Sequence, residues 1–169
     1  SIIEDPHKPR VSSSRPFDAE GLETKIRKIV DKGVLCDWTT DLSSGRKLDL
    51  KSTGNATRGS GSIPMPSNRN ITLTQRTKSQ SELLRDMGCG ILVTSMIGST
   101  INPNTGDYSR GASGFWVENG EVQYPLSELT IAGNLSHMLK SIIPANDARQ
   151  YISRVVPSLL IDGITIAGS

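Results

Sequence analysis

Apolar and polar residues alternate through "FWVE", residues 115–118, and again through "EVQY", residues 121–124, with Asn119-Gly120 between the two runs. Asn and Gly both tolerate positive φ, which a tight type I′ turn needs at its two central positions. The pattern predicts a hairpin of strand 114–118 against strand 121–125. A two-residue loop sets Glu118 opposite Glu121, Val117 opposite Val122, Trp116 opposite Gln123 and Phe115 opposite Tyr124. Side chains alternate faces along a strand, so Phe115, Val117, Val122 and Tyr124 are expected to form a core face. Trp116 shares the other face with Gln123 and the two glutamates. Like charges directly opposite are unfavourable, so a cation is expected near Glu118 and Glu121. A cover over Trp116 is also expected: a helix, a second chain or a ligand.

The rest of the chain follows from the same patterning. "TKIRKIVDKGVLCDWTT" alternates on both sides of Asp31-Lys32-Gly33 and predicts a second hairpin with a three-residue turn, Gly33 left-handed. Residues 41–48 suit a short helix capped by Asp41, although Gly45 weakens it. "SQSELLRDMG" has a capping box from Ser79 to Glu82 and a terminating Gly88. "GILVTSMIG", 90–98, is a nearly continuous apolar run and reads as a buried central strand. "ITLTQ" (71–75) and 128–132 read as strands, and "PSLLIDGITIAG" as one or two more. "NLSHMLKSII" spaces Leu135, Met138, Leu139 and Ile142 as a helix does, between an Asn cap and Pro144, and is the candidate cover for a sheet face. Residues 1–23, broken by Pro6, Pro9 and Pro16, read as an extended arm. Residues 51–70 have no period and read as a long flexible loop. The expected fold is α+β in a single domain, 1–169: a mainly antiparallel sheet with hairpins and two or three packed helices.

Composition narrows the function classes. The 169 residues can build one domain with a core, while 35% hydrophobic and 4% aromatic content are both low. A net charge of +2 does not by itself argue for nucleic acid. No apolar run is long enough for a membrane helix. The chain begins "SIIEDPHKPR", without Met and without a signal-peptide layout, and is read as a piece of something longer. Cys36 and Cys89 fit no CxxC spacing and are expected to be buried and reduced in a cytoplasmic protein. The three N-x-S/T sequons matter only after secretion, which nothing else suggests.

Tests for chemistry return little. His7 and His137 are the only histidines, and no HExxH pair or GxSxG elbow occurs. Gly54 and Gly59 have P-loop spacing, but Ser60-Gly61 stands where Lys-Ser/Thr is required. Residues 51–90 carry six basic residues (Lys51, Arg58, Arg69, Arg76, Lys78, Arg85) against Glu82 and Asp86. That excess suits an acidic partner, a peptide carboxylate or nucleic acid. The absence of aromatics in it argues against single-strand binding.

Four stretches carry a resemblance: "RPFDAEG" (15–21), "RKLDLKSTGNA" (46–56), "TGDYSRGASGFWVENGEVQYPLSELTIAGNL" (105–135) and "PSLLIDGITIAG" (157–168). They resemble the C-terminal part of the TldD/PmbA family, its PmbA (TldE) branch more than TldD. The resemblance implies a cytosolic metallopeptidase system acting on peptides or unfolded proteins. In that system a TldD-type subunit holds zinc through an HExxxH helix and a later Cys. The HExxxH region would lie upstream of Ser1, and the interval expected to hold the late Cys reads "ARQYISRVV" here, without one. The resemblance thus implies no metal and no catalytic residue in this chain, and a zinc-bearing TldD-type partner or a homodimer. It also supplies an alternative, a regulatory module acting on DNA gyrase or a nucleic-acid partner.

The candidate binding residues are Asp107, Ser109, Arg110 and Trp116. Asp107, Ser109 and Arg110 lie on the glycine-rich approach to the hairpin, where a cleft wall for peptide or partner is expected. Arg110 could hold a peptide carboxylate with two parallel bonds. Equally, it could neutralise Asp107 or the Glu118/Glu121 pair.

Overall fold

A computed structural model describes residues 1–168. In chain order its elements are β1 (Ile2–Glu4), β2 (Arg27–Asp31), β3 (Val34–Leu35), α1 (Leu42–Leu48), β4 (Ala56–Thr57), β5 (Met65–Pro66), β6 (Ile71–Leu73), α2 (Gln80–Met87), β7 (Gly90–Ile101), β8 (Asp107–Glu118), β9 (Glu121–Asn134), α3 (Leu135–Ser141), β10 (Ile143–Pro144), β11 (Arg154–Val155), β12 (Leu159–Leu160) and β13 (Thr165–Ala167). The fold is α+β with mainly antiparallel sheets, as the patterning predicts. The elements divide into two compact units, residues 1–74 with 148–157, and residues 75–147 with the chain from Ser158 onward.

The first unit holds a five-stranded sheet in the order β11-β6-β1-β2-β3. Its central strand, β1, comes from the segment read as an arm. Ile2 and Ile3 suit a pleated, half-buried surface, and Ile2 pairs with Val30 on one side and Leu73 on the other. The β2–β3 hairpin forms, but Asp31 already pairs with Val34, so the turn has two residues rather than three. Both are left-handed, Lys32 at φ 49° and Gly33 at φ 88°. Asp41 caps α1 in a capping box with Ser44. Hydrogen bonds from the Ser44 hydroxyl and amide hold the Asp41 carboxyl below its usual range. Gly45, a weakness by propensity, is a packing requirement: a Cβ there would lie 2.8 Å from the Leu50 carbonyl. Residues 51–70 are largely irregular, but β4 and β5 pair within them, and Asn55, Ala56, Arg69 and Asn70 are buried.

Beneath β1 lies a buried ionic centre. Glu4 is fully buried and accepts from Arg27 Nε at 2.6 Å, from Asn55 Nδ2 at 2.8 Å and from the Arg69 amide. Arg27 spends its other donors on Asp37, the Trp38 carbonyl, Thr39 and Asn68. Every guanidinium hydrogen is used, which a buried charge requires.

The second unit holds a four-stranded sheet, β13-β9-β8-β7. The 90–98 run is therefore an edge strand, not a central one. Ile91 and Val93 pack on the core of Ala112, Leu129 and Ile131, but Thr94 to Gly98 are exposed, with Ile97 at 75%. The β8–β9 hairpin begins in the predicted register, Glu118 opposite Glu121 and Val117 opposite Val122. A bulge then adds a residue to β9, so Phe115 meets Pro125 instead of Tyr124. Of the four expected core residues only Val117 is buried; Phe115, Val122 and Tyr124 are exposed. No ion pair joins Glu118 or Glu121 to a cation among the described residues, although the Arg85 stem lies against the turn.

The predicted helices form at α2, with the Ser79–Glu82 box, and at α3, capped by Asn134. Helix α3 packs by Met138 against Gly133, at the Tyr108 end of the sheet. Trp116 is eight residues farther along β8, roughly 26 Å at the strand rise, while seven helical residues span only about 10 Å. The helix therefore does not cover it; Trp116 is half-buried opposite Ile91. Both cysteines are exposed rather than buried, Cys36 just past the edge strand β3 and Cys89 between α2 and β7.

The Asn119-Gly120 turn has φ 54° and 77°, as a type I′ turn requires. A Cβ on Gly120 would also sit 2.7 Å from Arg85 Cα. Gly120→Val is expected to cost roughly 1 kcal/mol or more, since positive φ and backbone crowding both oppose a branched Cβ. Unchanged thermal stability would refute that account.

Candidate functional site

At the end of the β7–β8–β9 sheet opposite the Asn119-Gly120 turn, small residues leave a trough. Ser109 lies between Thr100 on β7 and Ala132 on β9, and Gly133 follows at the next register position. Their short side chains open a groove of about 430 Å³, walled by Thr100, Asn102, Asp107 and Tyr108. Gly98, at φ 71°, sits in a bulge of β7 just before Thr100 and bends the edge strand there.

The loop forming the wall is internally bonded. Asn102 Oδ1 accepts from the amides of Asn104 and Thr105, and the Gly106 amide donates to the Asn102 carbonyl at 2.8 Å. Asn134 Nδ2 donates to the Thr105 carbonyl at 2.9 Å, and the Leu135 amide to the Gly106 carbonyl. One Asp107 carboxylate oxygen, Oδ2, accepts from Thr105 Oγ1 at 2.7 Å. The site thus offers a positioned carboxylate, hydroxyls and strand backbone. That chemistry suits hydrogen bonding to an extended polar chain more than bond breaking by this chain alone.

The structure brings Asp107 and Ser109 together on the groove. Arg110, the next residue, points to the opposite face, where the core residues Ala112 and Ile131 lie. It has no ion pair among the described residues, so neither Asp107 nor Glu118/Glu121 is its counter-ion, and its Nε is buried without a partner. Trp116 is nine residues from Asp107 along β8, about 30 Å at the strand rise, and belongs to no common site with it. Thr100, Asn102, Ala132 and Gly133 were not expected at the site. Their only sequence signals were the Pro-Asn loop and the Ala-Gly pair in "LTIAGN".

The resemblance implies zinc in a TldD-type partner, and among the described residues of this chain no donor set fits it. No group of three His, Cys, Asp or Glu residues that could hold a metal occurs among the described residues. His7 bonds Thr24 Oγ1 at 3.0 Å, and His137 is exposed on α3. No helix is long and apolar enough to cross a membrane among the described residues.

Comparison with known proteins places the chain. A family profile described as the PmbA/TldA metallopeptidase C-terminal domain matches residues 1–168. A metalloprotease PmbA homolog of Haemophilus influenzae is 45% identical over 100% of this chain and 36% of its own length. Metalloprotease PmbA of Escherichia coli O157:H7 is 43% identical over 99% of this chain and 36% of its own. The chain therefore spans little more than a third of these relatives. Among solved structures, a putative modulator of DNA gyrase from Bacteroides thetaiotaomicron superposes with TM-score 0.87 at 32% identity, over 99% of this chain and 36% of that one. TldE from Thermococcus kodakarensis shares the fold with TM-score 0.87 at 22% identity, over 99% of this chain and 39% of that one. The chain belongs to the PmbA/TldD metallopeptidase family, of which it is the C-terminal domain.

Proposed function

We propose that this domain forms a substrate-cleft wall in a TldD/PmbA-type metallopeptidase, in the subunit type that leaves zinc to a TldD-type partner. The observation carrying this reading is the free edge of β7. Its twelve residues have one neighbouring strand only among the described residues, and the edge ends at the groove holding Asp107 and Ser109. A free edge presents unpaired N–H and C=O groups, and extended peptides add to such edges by main-chain hydrogen bonds that ignore sequence. A peptidase of unfolded chains needs that tolerance. Met96, Ile97 and Ile101 stand exposed along the same strand as apolar contacts for substrate side chains. The bacterial relatives, which are named metalloproteases, support the reading.

The test is to mix the full-length protein with a TldD-type subunit and zinc, then follow casein or peptide cleavage. Cleavage well above the sum of the separate subunits is expected. Ser109→Phe, which fills the trough from a half-buried strand position, should raise KM with little change in melting temperature. Absence of cleavage in the mixture, or full activity of Ser109→Phe, would overturn the proposal.

The alternative, a regulatory module for gyrase or nucleic acid, draws support from the Bacteroides protein, which is described as a putative modulator of DNA gyrase. The basic segment supports it less than its composition suggested. Arg69 is buried, with Nη2 on the Ala56 carbonyl, and Lys78 pairs with Asp86 at 2.6 Å. Binding through several phosphates would fall steeply with salt, whereas peptide addition to a sheet edge would change little.

A further inference from the structure

The first unit contains a pocket that the cleft reading does not use. It encloses about 280 Å³, and three of its lining residues are arginines, Arg15, Arg58 and Arg69. They are distant in sequence, and the fold gathers them through the stretches "RPFDAEG" and "STGNA". The Ala56 amide donates to Asp18 Oδ2 at 2.9 Å, the Ala19 amide to the Ala56 carbonyl at 3.1 Å, and Arg69 Nη2 to that same carbonyl at 3.0 Å.

None of the three guanidiniums has a carboxylate partner within 4 Å among the described residues. The contrast with Arg27, which uses all its donors, is sharp. Arg69 is 8% exposed, yet beyond the Ala56 carbonyl its fork has no partner among the described residues, and Nε is buried unpaired. Burial and then the charge of Arg15 press the Arg69 guanidinium below its ordinary pKa, so like charges converge at a cost. Asp18 is the acidic side chain on the wall, but its oxygens are occupied by three backbone amides, those of Glu20, Leu22 and Ala56. A buried arginine with spare donors and two further arginines, facing one wall carboxylate whose oxygens are already bonded to backbone amides, together make an anion site. The volume, below that of most pockets for drug-sized ligands, suits one terminal group.

We propose that Arg15, Arg58 and Arg69 bind the terminal oxyanion of a small ligand or chain end, a carboxylate or a phosphate. The exposed Phe17 on the rim packs against the apolar part adjoining that group. This site does not depend on the peptide edge at β7.

Arg15 and Arg58 are exposed and their guanidiniums make no hydrogen bond among the described residues, so Arg15→Ala and Arg58→Ala should melt as the unaltered protein does. The experiment is calorimetric titration of the full chain and both variants with inorganic phosphate, with the tripeptide Ala-Ala-Ala, and with its C-terminal amide. Saturable binding of phosphate or of the free-acid tripeptide is expected, weakened about tenfold in each variant, the effect of losing one charge-assisted hydrogen bond. Binding of the acid but not the amide identifies a carboxylate ligand, and binding of phosphate alone identifies a phosphate ligand. Failure of both probes to bind, or equal affinity in unaltered protein and variants, would overturn the assignment.

Discussion

Glu4→Ala is expected to lower unfolding free energy by about 3–5 kcal/mol, the cost of removing one partner from a buried ion pair. The substitution strips Arg27 Nε, Asn55 Nδ2 and the Arg69 amide of their common acceptor. Glu4 has no exposed surface and the Arg27 side chain is only 10% exposed, so water cannot readily replace the lost bonds. Arg27 keeps Asp37 at 3.0 Å, which places the expected loss at the lower end of that range. The damage should spread beyond one contact, because Glu4 joins β1 to β2 and to the end of the 51–70 segment. Glu4→Gln keeps the shape but puts an amide N–H₂ against donors, and is expected to fall between the two. Urea unfolding of all three proteins gives the comparison. A loss within experimental error for Glu4→Ala would mean that the buried network contributes nothing net.

That network also explains what the sequence could and could not disclose. Local signals were reliable where they are self-contained. Asp41 with Ser44 and Ser79 with Glu82 each satisfy their own backbone within four residues, Asn119 and Gly120 take the left-handed φ their turn needs, and each stands where the pattern puts it. Glu4 could not be read that way. Its partners lie 23, 51 and 65 residues away, and a lone acidic residue beside Asp5 looks like a solvated charge. The same distance hid the arginine pocket, whose members entered the reading only as a motif letter and as part of a basic excess. Asp107 and Ser109 could be paired because they are two apart on one strand, and alternation alone puts them on one face. Arg110 was grouped with them by adjacency, which in a strand sends it to the other side. The core was overcalled for a different reason. Alternation tells which residues share a face, not how far each is covered: Val117 is buried while Phe115 and Val122 beside it stay exposed, and the bulge takes Tyr124 out of register with Phe115.

Gly114→Ala is expected to be among the most damaging single-methyl additions in the chain, costing about 3 kcal/mol, the upper end for forcing extra volume into a packed site. The restriction is contact and not conformation, because Gly114 does not occupy the left-handed region. A Cβ there would lie 2.0 Å from the Leu92 carbonyl oxygen and 3.0 Å from Val93 Cα, both backbone atoms with no rotamer to change. Relief requires β7 to draw away from β8 where its neighbours are already irregular: β7 bulges between Val93 and Ser95, and β9 between its pairings with Ala112 and Gly114. Ile91 and Val93 would leave the core with the displaced strand. Gly111, three residues earlier on β8, is the control. Its nearest contact for a Cβ is 3.5 Å, ordinary packing distance, so Gly111→Ala should be neutral or gain up to about 1 kcal/mol from the stiffer unfolded chain. Thermal and urea unfolding of the two variants side by side decide the matter. Equal stabilities would show that β7 can shift away from β8 at little cost. In that case the β7 edge would not be the fixed template on which the peptide reading depends.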